Sequence, residues 1–218
     1  MEDVLDLYEQ PYDPLYPIVC FDETPYQLIG EKLVPIAMTP GQPQRYDSEY
    51  TRNGVVNLFV IFQPARGWRH VYIRPQRTKQ DFAYVIKDVI DQQFPEAVGL
   101  KVVMDNLNTH TPASLYEVFP PEEARRLAAK LEIHYTPKHA SWLDMAEIEI
   151  SVLKDQCLNR RIPMEEILAP EIAAWEDDRN HRQLRVKWHF TSDKAREKLT
   201  RLYPCVLEEE TNEGTYHN

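Results

Sequence analysis

TPKHASWLDMAEIEISVLKDQCLNRR, residues 136–161, decides how the rest of the chain is read, because it converts the end of a strand into a helix carrying carboxylates. Pro137 stops the preceding extended run. Ser141 is a candidate cap for the first free N–H groups, and Asp144 suits the positive start of a helix. Leu143, Ala146, Ile150, Leu153 and Cys157 recur at three- and four-residue steps as a buried stripe. Met145, Ile148 and Val152 add apolar groups on the other side, so the helix is expected to be covered on two faces. Glu147 borders the main stripe, one turn before Ser151 and two before Lys154. A carboxylate held beside a core needs a partner. The plain alternative is a surface Glu paired with Lys154 or Lys138.

Working outward, IHYTP (133–137) is a short strand, and KVVMDNLNTH (101–110) has a buried centre at residues 102–104 before turning polar at Asp105. Residues 111–130 read as helix interrupted at Pro120 and Pro121. Thr78 caps a predicted helix over residues 79–94 whose stripe is Phe82, Val85, Ile86, Val89 and Ile90, and Pro95 ends it. GVVNLFVIFQP (54–64) and WRHVYIRP (68–75) form a hairpin; in the second strand Trp68, His70, Tyr72 and Arg74 alternate with Val71 and Ile73. IVCFDET (18–24) is a buried strand ending in acids before Pro25. A strand, an antiparallel hairpin and then alternating helices and strands define an α/β fold, a ribonuclease H-like mixed sheet flanked by helices.

Residues 1–17, with three prolines and scattered acids, read as an N-terminal arm or linker, and 18–162 as the sheet domain. Residues 163–205 form a helical C-terminal extension: Pro163 sits in a first helical turn, a break or kink is expected near Pro170, and Thr191 or Ser192 caps a last helix stopped by Pro204. The acidic tail 206–218 is expected to be disordered.

The chain has 218 residues and is 43% hydrophobic, enough for a substantial core. Three dispersed cysteines, Cys20, Cys157 and Cys205, make neither a disulfide framework nor a zinc pattern and suit a reducing cytoplasm. No signal peptide or membrane-spanning run is evident. The formal charge of −10 argues against indiscriminate nucleic-acid binding, so any DNA contact must be local or assisted.

Asp22 and Asp105 each end an apolar strand, and functional crevices of open α/β sheets lie at such ends. Parallel neighbouring strands would bring them together, and Glu147 could reach over from its helix. Three converging carboxylates repel, and a hard divalent cation, magnesium by choice, removes that cost. Taken singly, Asp22 is equally a turn former. Zinc on His134, His139 and Cys157 is the weaker rival, since no CxxC or HxxxH pair exists.

CFDET, VVMDNLNTH and TPKHASWLDMAEIEISVL resemble the three acidic motifs of DDE transposases from bacterial insertion sequences related to the mariner group, and VKWHFTSDKAREKLTRLYP resembles their C-terminal signature. The resemblance runs from Ile18 to Pro204. Residue by residue it makes Asp22, Asp105 and Glu147 the catalytic, metal-binding acids, and leaves Glu149, which helical phase alone does not exclude, as a neighbour whose replacement should cost little cleavage. It implies a metal-dependent DNA endonuclease and strand transferase using two Mg2+ or Mn2+ ions, acting on double-stranded DNA at transposon ends and target in DNA transposition, recombination and integration. A cytoplasmic, nucleoid-associated place in a bacterium follows.

The resemblance also makes Asn106 and His110 candidates to orient Asp105 or a phosphate, or simply turn-stabilising residues. Lys138, His139 and Trp142 are candidates for the strand near the cut, with helix-start packing as the alternative for Trp142. Two features depart from the family pattern. Asp144 stands where Asn is usual, and no helix-turn-helix module precedes Ile18, so such a module is an expected partner, as is a second copy in a homodimer. The competing reading is an inactive remnant serving only in DNA binding or dimerisation.

Overall fold

The computed structural model describes residues 1–203 except Gln44, Tyr46 and His139; Pro204, the expected stop of the last helix, Cys205 and the 206–218 tail lie outside the described residues. Five strands form one mixed sheet: β1 (Ile18–Glu31), β2 (Tyr50–Gln63), β3 (Trp68–Arg74), β4 (Leu100–Met104) and β5 (Leu131–Tyr135), in the order β3-β2-β1-β4-β5. β1 to β3 are antiparallel neighbours, while β1–β4 and β4–β5 are parallel. This is the ribonuclease H-like arrangement the sequence implies.

Side chains of alternate parity on each strand feed two layers. Val19, Phe21, Phe59, Ile61, Val102 and Met104 face α2 (Lys79–Asp88), α3 (Pro112–Val118) and α4 (Pro121–Ala129). Cys20, Phe62 and Val103 face the other way, onto α5 (Met145–Gln156) and α7 (Ser192–Lys198), and Leu58 and Val60 meet α6 (Glu165–His181). Thr78 caps α2 in a full capping box with Asp81, and Thr191 caps α7.

Several expectations change. Residues 2–9 are not an irregular arm: they form α1 (Glu2–Glu9), because Val4, Leu5 and Leu7 make an apolar stripe that docks beside Cys20, Phe62, Met145 and Ala195. β1 does not stop at Pro25. It runs on to Glu31, and Pro25 is accommodated at an exposed position, although Asp22 remains where the pairing with β4 gives out. Ser141 does not cap the organising helix. Residues Ser141–Leu143 make a 3-10 turn, and Asp144 caps the shorter α5 by accepting from the Ala146 N–H at 2.9 Å. Its second face is partly open, with Ile148 exposed. α6 starts after Pro163 and runs through Pro170 as one helix.

Candidate active site

β1 and β4 pair in parallel up to Cys20 and Val103, and continuing that register sets Asp22 opposite Asp105. Asp22 has the parity of Cys20 and so belongs to the α5 side of the sheet, while Asp105 lies one residue past the end of β4, where its carboxylate meets His110. Glu147, in the first turn of α5, lies close enough for its charge to act on Asp22. The carboxylates feel one another: burial is the main reason the Asp22 carboxyl is pushed up to about 7, with Glu23, Glu147 and Asp105 adding repulsion against one helpful bond from the Glu23 N–H. Asp144, buried, is held well above the carboxylate range by burial first, and by Asp22, Glu147 and Asp105. Glu147 is half-buried and has no ion-pair partner among the described residues. Neither Lys154 nor Lys138, its expected alternative partners, reaches it.

Asp105 is different. Its Oδ1 lies 2.6 Å from His110 Nδ1, and His110 Nε2 lies 2.9 Å from Glu23 Oε2. Burial disfavours the imidazolium, yet Asp105 and Glu23 outweigh it and raise the His110 pKa to about 9. The ring stands edge-on to Phe21 at 5.3 Å, and the His110 carbonyl accepts from the Tyr135 hydroxyl at 2.7 Å. Asn106 is exposed, as is Lys138, and His139 lies outside the described residues.

Glu23 is the site residue that the sequence reading missed. The signal was present: with Phe21 inward on one face, strand alternation puts Glu23 on that same face, buried, and away from its neighbour Asp22. Adjacent acids on one strand thus serve opposite faces, Asp22 toward α5 and Glu23 toward His110.

Glu149 is buried, with only 1% of its side chain exposed, between two guanidiniums. Arg69 Nε donates to Oε2 at 3.0 Å and Arg179 Nη2 to Oε1 at 3.2 Å, while Arg69 Nη2 also donates to the Leu184 carbonyl at 2.6 Å. Asn180 bonds both the N–H and the carbonyl of Arg69. This network ties α5 to β3 and α6 and leaves the Glu149 carboxylate no free valence. α1 adds a tie on the other side: the Tyr8 hydroxyl donates to the Leu143 carbonyl at 2.7 Å, in the turn that leads into α5.

The donor set offered by Asp22, Asp105, Glu147 and Asp144 is all oxygen, which suits a hard divalent ion, with His110 the cation beside Asp105. Among the described residues, however, no three His, Cys, Asp or Glu side chains stand close enough together to form a ready-made metal site. The zinc rival fares no better: His134 is tied to Asp3 and Glu132, and Cys157 is buried in the α6-side core.

The mixed sheet in the order β3-β2-β1-β4-β5, flanked by helices, is that of the ribonuclease H-like class. The chain belongs to the DDE superfamily endonuclease family, whose model matches residues 17–168. Enzymes of that superfamily use divalent metal ions. In fold it is similar to the Mos1 transposase in its paired-end complex with the left transposon end, at TM-score 0.56 and 16% identity over 84% of this chain and 55% of that one. It is similar also to the Mos1 strand transfer complex, at TM-score 0.56 and 15% identity over 84% of this chain and 54% of that one. The chain therefore spans about half the length of those transposase chains. No curated protein matches it.

Proposed function

We propose that this chain is the catalytic half of an insertion-sequence transposase, cutting DNA at element ends and transferring the strand to a target, with Asp22, Asp105 and Glu147 as the catalytic acids. What supports the reading is that Asp22 and Asp105 follow closely on the parallel pairing of β1 and β4, which ends at Cys20 and Val103, and that Glu147 and Asp105 both add to the repulsion that raises the Asp22 pKa. These three residues would hold two Mg2+ or Mn2+ ions. Bound there, the ions supply Lewis-acid activation of a water or 3′ hydroxyl and neutralise charge building at the phosphate.

The chain's own residues have three tasks. Asp22 must give up the proton that burial and repulsion favour, which happens at and above pH of about 7. Asp105 is steered by His110, itself held by Glu23, so the second acid keeps its direction as the strand arrives. Glu147 is aimed by the Arg69–Glu149–Arg179 lock two residues further along α5. Positioning of the phosphate, rather than a protein nucleophile, is the source of rate.

A helix-turn-helix module, on this or another polypeptide, would recognise the element's ends, and a second copy would synapse the two ends at the nucleoid of a bacterial cell. The acidic balance of this chain suits such a division of labour. A second reading, an inactive remnant, draws on Asp144: a buried fourth carboxylate beside the other three adds repulsion to the site.

The test is a magnesium and manganese titration of the parent chain and of Asp105→Asn, followed by a cleavage and strand-transfer assay with element-end DNA and the recognition module supplied in trans. Metal binding that falls in the variant, with metal-dependent cleavage by the parent, is expected. Equal metal binding by both proteins sinks the site assignment, and metal binding without cleavage favours the remnant.

A further inference from the structure

Between α6 and α7 the chain crosses the surface as an extended segment, residues 184–190, outside any sheet. Its side chains alternate. Val186, Trp188 and Phe190 pack inward on the α1–α5–α7 layer, and Arg185, Lys187 and His189 point out, all exposed. In a chain of net charge −10 this row is unusual: from Arg179 to Arg201 the only acids are Asp193 and Glu197. Among the described residues neither Arg185 nor Lys187 meets a carboxylate, and Arg185 touches only the Gln183 side-chain oxygen, at 3.4 Å. No backbone N–H of residues 185–190 donates to a backbone carbonyl among the described residues.

The segment is fixed in place. At its start the backbone leaves α6 through Gln183 at φ 48°, pressed so closely against Gly67 that a Cβ there would sit 2.6 Å from the Gln183 carbonyl carbon, and buried Arg69 donates to the Leu184 carbonyl. At its end Trp188 Nε1 donates to the Phe190 carbonyl at 2.7 Å, and Tyr8 packs on Trp188 with ring centroids 5.2 Å apart.

Trp142 joins this segment to the site. It lies three residues ahead of the first residue of α5, stacks parallel on Trp188 at 6.2 Å and 10°, and meets Phe190 edge-on at 5.5 Å. Despite these contacts 42% of it is exposed. A rigidly backed indole left open beside a row of unpaired cations matches what single-stranded nucleic acid requires: a flat surface for a base and positive charge for its backbone. A peptide strand added along the open edge would gain nothing from the cations.

We propose that residues 184–190 and Trp142 form a ledge for the DNA strand leaving the catalytic acids, with Arg185, Lys187 and the free amides on phosphates and Trp142 under an unpaired base. This rests on the reading of the chain as a DNA-acting enzyme. The test uses the full chain in EDTA, so that cutting plays no part. Binding to a short duplex of arbitrary sequence, blunt or with an unpaired extension, is followed by fluorescence anisotropy over a salt series.

Arg185→Gln/Lys187→Gln should make the log–log salt slope shallower by about two, one unit for each phosphate left without its cation. Arg77→Gln/Arg125→Gln, the same charge change on exposed residues outside the ledge, should leave it unchanged. Trp142→Ala should weaken binding of the extended duplex by about fivefold or more while sparing the blunt one, as removal of one stacked base requires. If the parent binds and the ledge variants keep its slope and preference, the ledge is overturned while the catalytic reading stands. A parent with no affinity for either duplex overturns both. If the variants change only the sedimentation of the free chain, the surface belongs to a second copy and the proposal fails.

Discussion

At the scale of single residues, the two adjacent acids of β1 differ because a strand sends neighbours to opposite faces. Asp22, pushed up to about 7, binds a proton more tightly in the folded chain than in the unfolded one, where its usual value is 3.8. Its contribution to stability therefore falls as pH rises through that window and levels off above it. Asp22→Asn removes this loss, so without metal its melting temperature should exceed the parent's by several degrees at pH 8 and by much less at pH 5. A gap independent of pH would mean that Asp22 is not the titrating group. The two glutamates of α5 should also separate. Glu147→Gln should keep its melting temperature and lose manganese-supported cleavage by orders of magnitude. Glu149→Gln, expected from sequence to cost little cleavage, strands two buried guanidiniums and should cost about 3 kcal/mol in denaturant unfolding. Retained stability with lost cleavage in Glu149→Gln would reverse the roles assigned to the pair.

At the scale of elements, long apolar runs and their punctuation were legible: the hairpin, the capped α2, the helices broken at Pro120 and the short strands before Asp105 and Pro137 all stand where the pattern puts them. What escaped depended on partners far away in sequence. Val4, Leu5 and Leu7 look unremarkable among acids until α7 and the α5 turn supply a surface for them. Ser141 is a sound cap by type, but Asp144 lies one turn closer to the apolar stripe and took the role. Arg69 shares the inward parity of Val71, so alternation already marked it as buried, while its anchor Glu149 lies 80 residues away. Because α1 holds the entry to α5 through Tyr8, Leu5→Ala should destabilise the whole domain by about 2–5 kcal/mol rather than merely fray its first helix. A urea transition in which α1 melts separately, with the midpoint of the sheet unchanged, would contradict that coupling.

At the scale of the molecule, the chain carries a net charge of −10, so an isolated chain should bind DNA weakly, with little sequence preference, and release it as salt rises. A sequence-specific nanomolar complex at physiological salt would place recognition within this chain and contradict its reading as a catalytic half. The docking of α1 onto α7 has a consequence for synthesis. Glu2 pairs with Arg196, Asp6 with Ser192, and the apolar side of α1 rests on Ala195, all nearly the length of the described chain away. While the ribosome makes the sheet and α5, the first helix can close against Cys20, Phe62 and Met145 but not yet against Ala195. The side of α1 that rests on α7 stays open until residues 192–198 emerge, so truncation just before α7 should leave a product that aggregates through the uncovered part of α1.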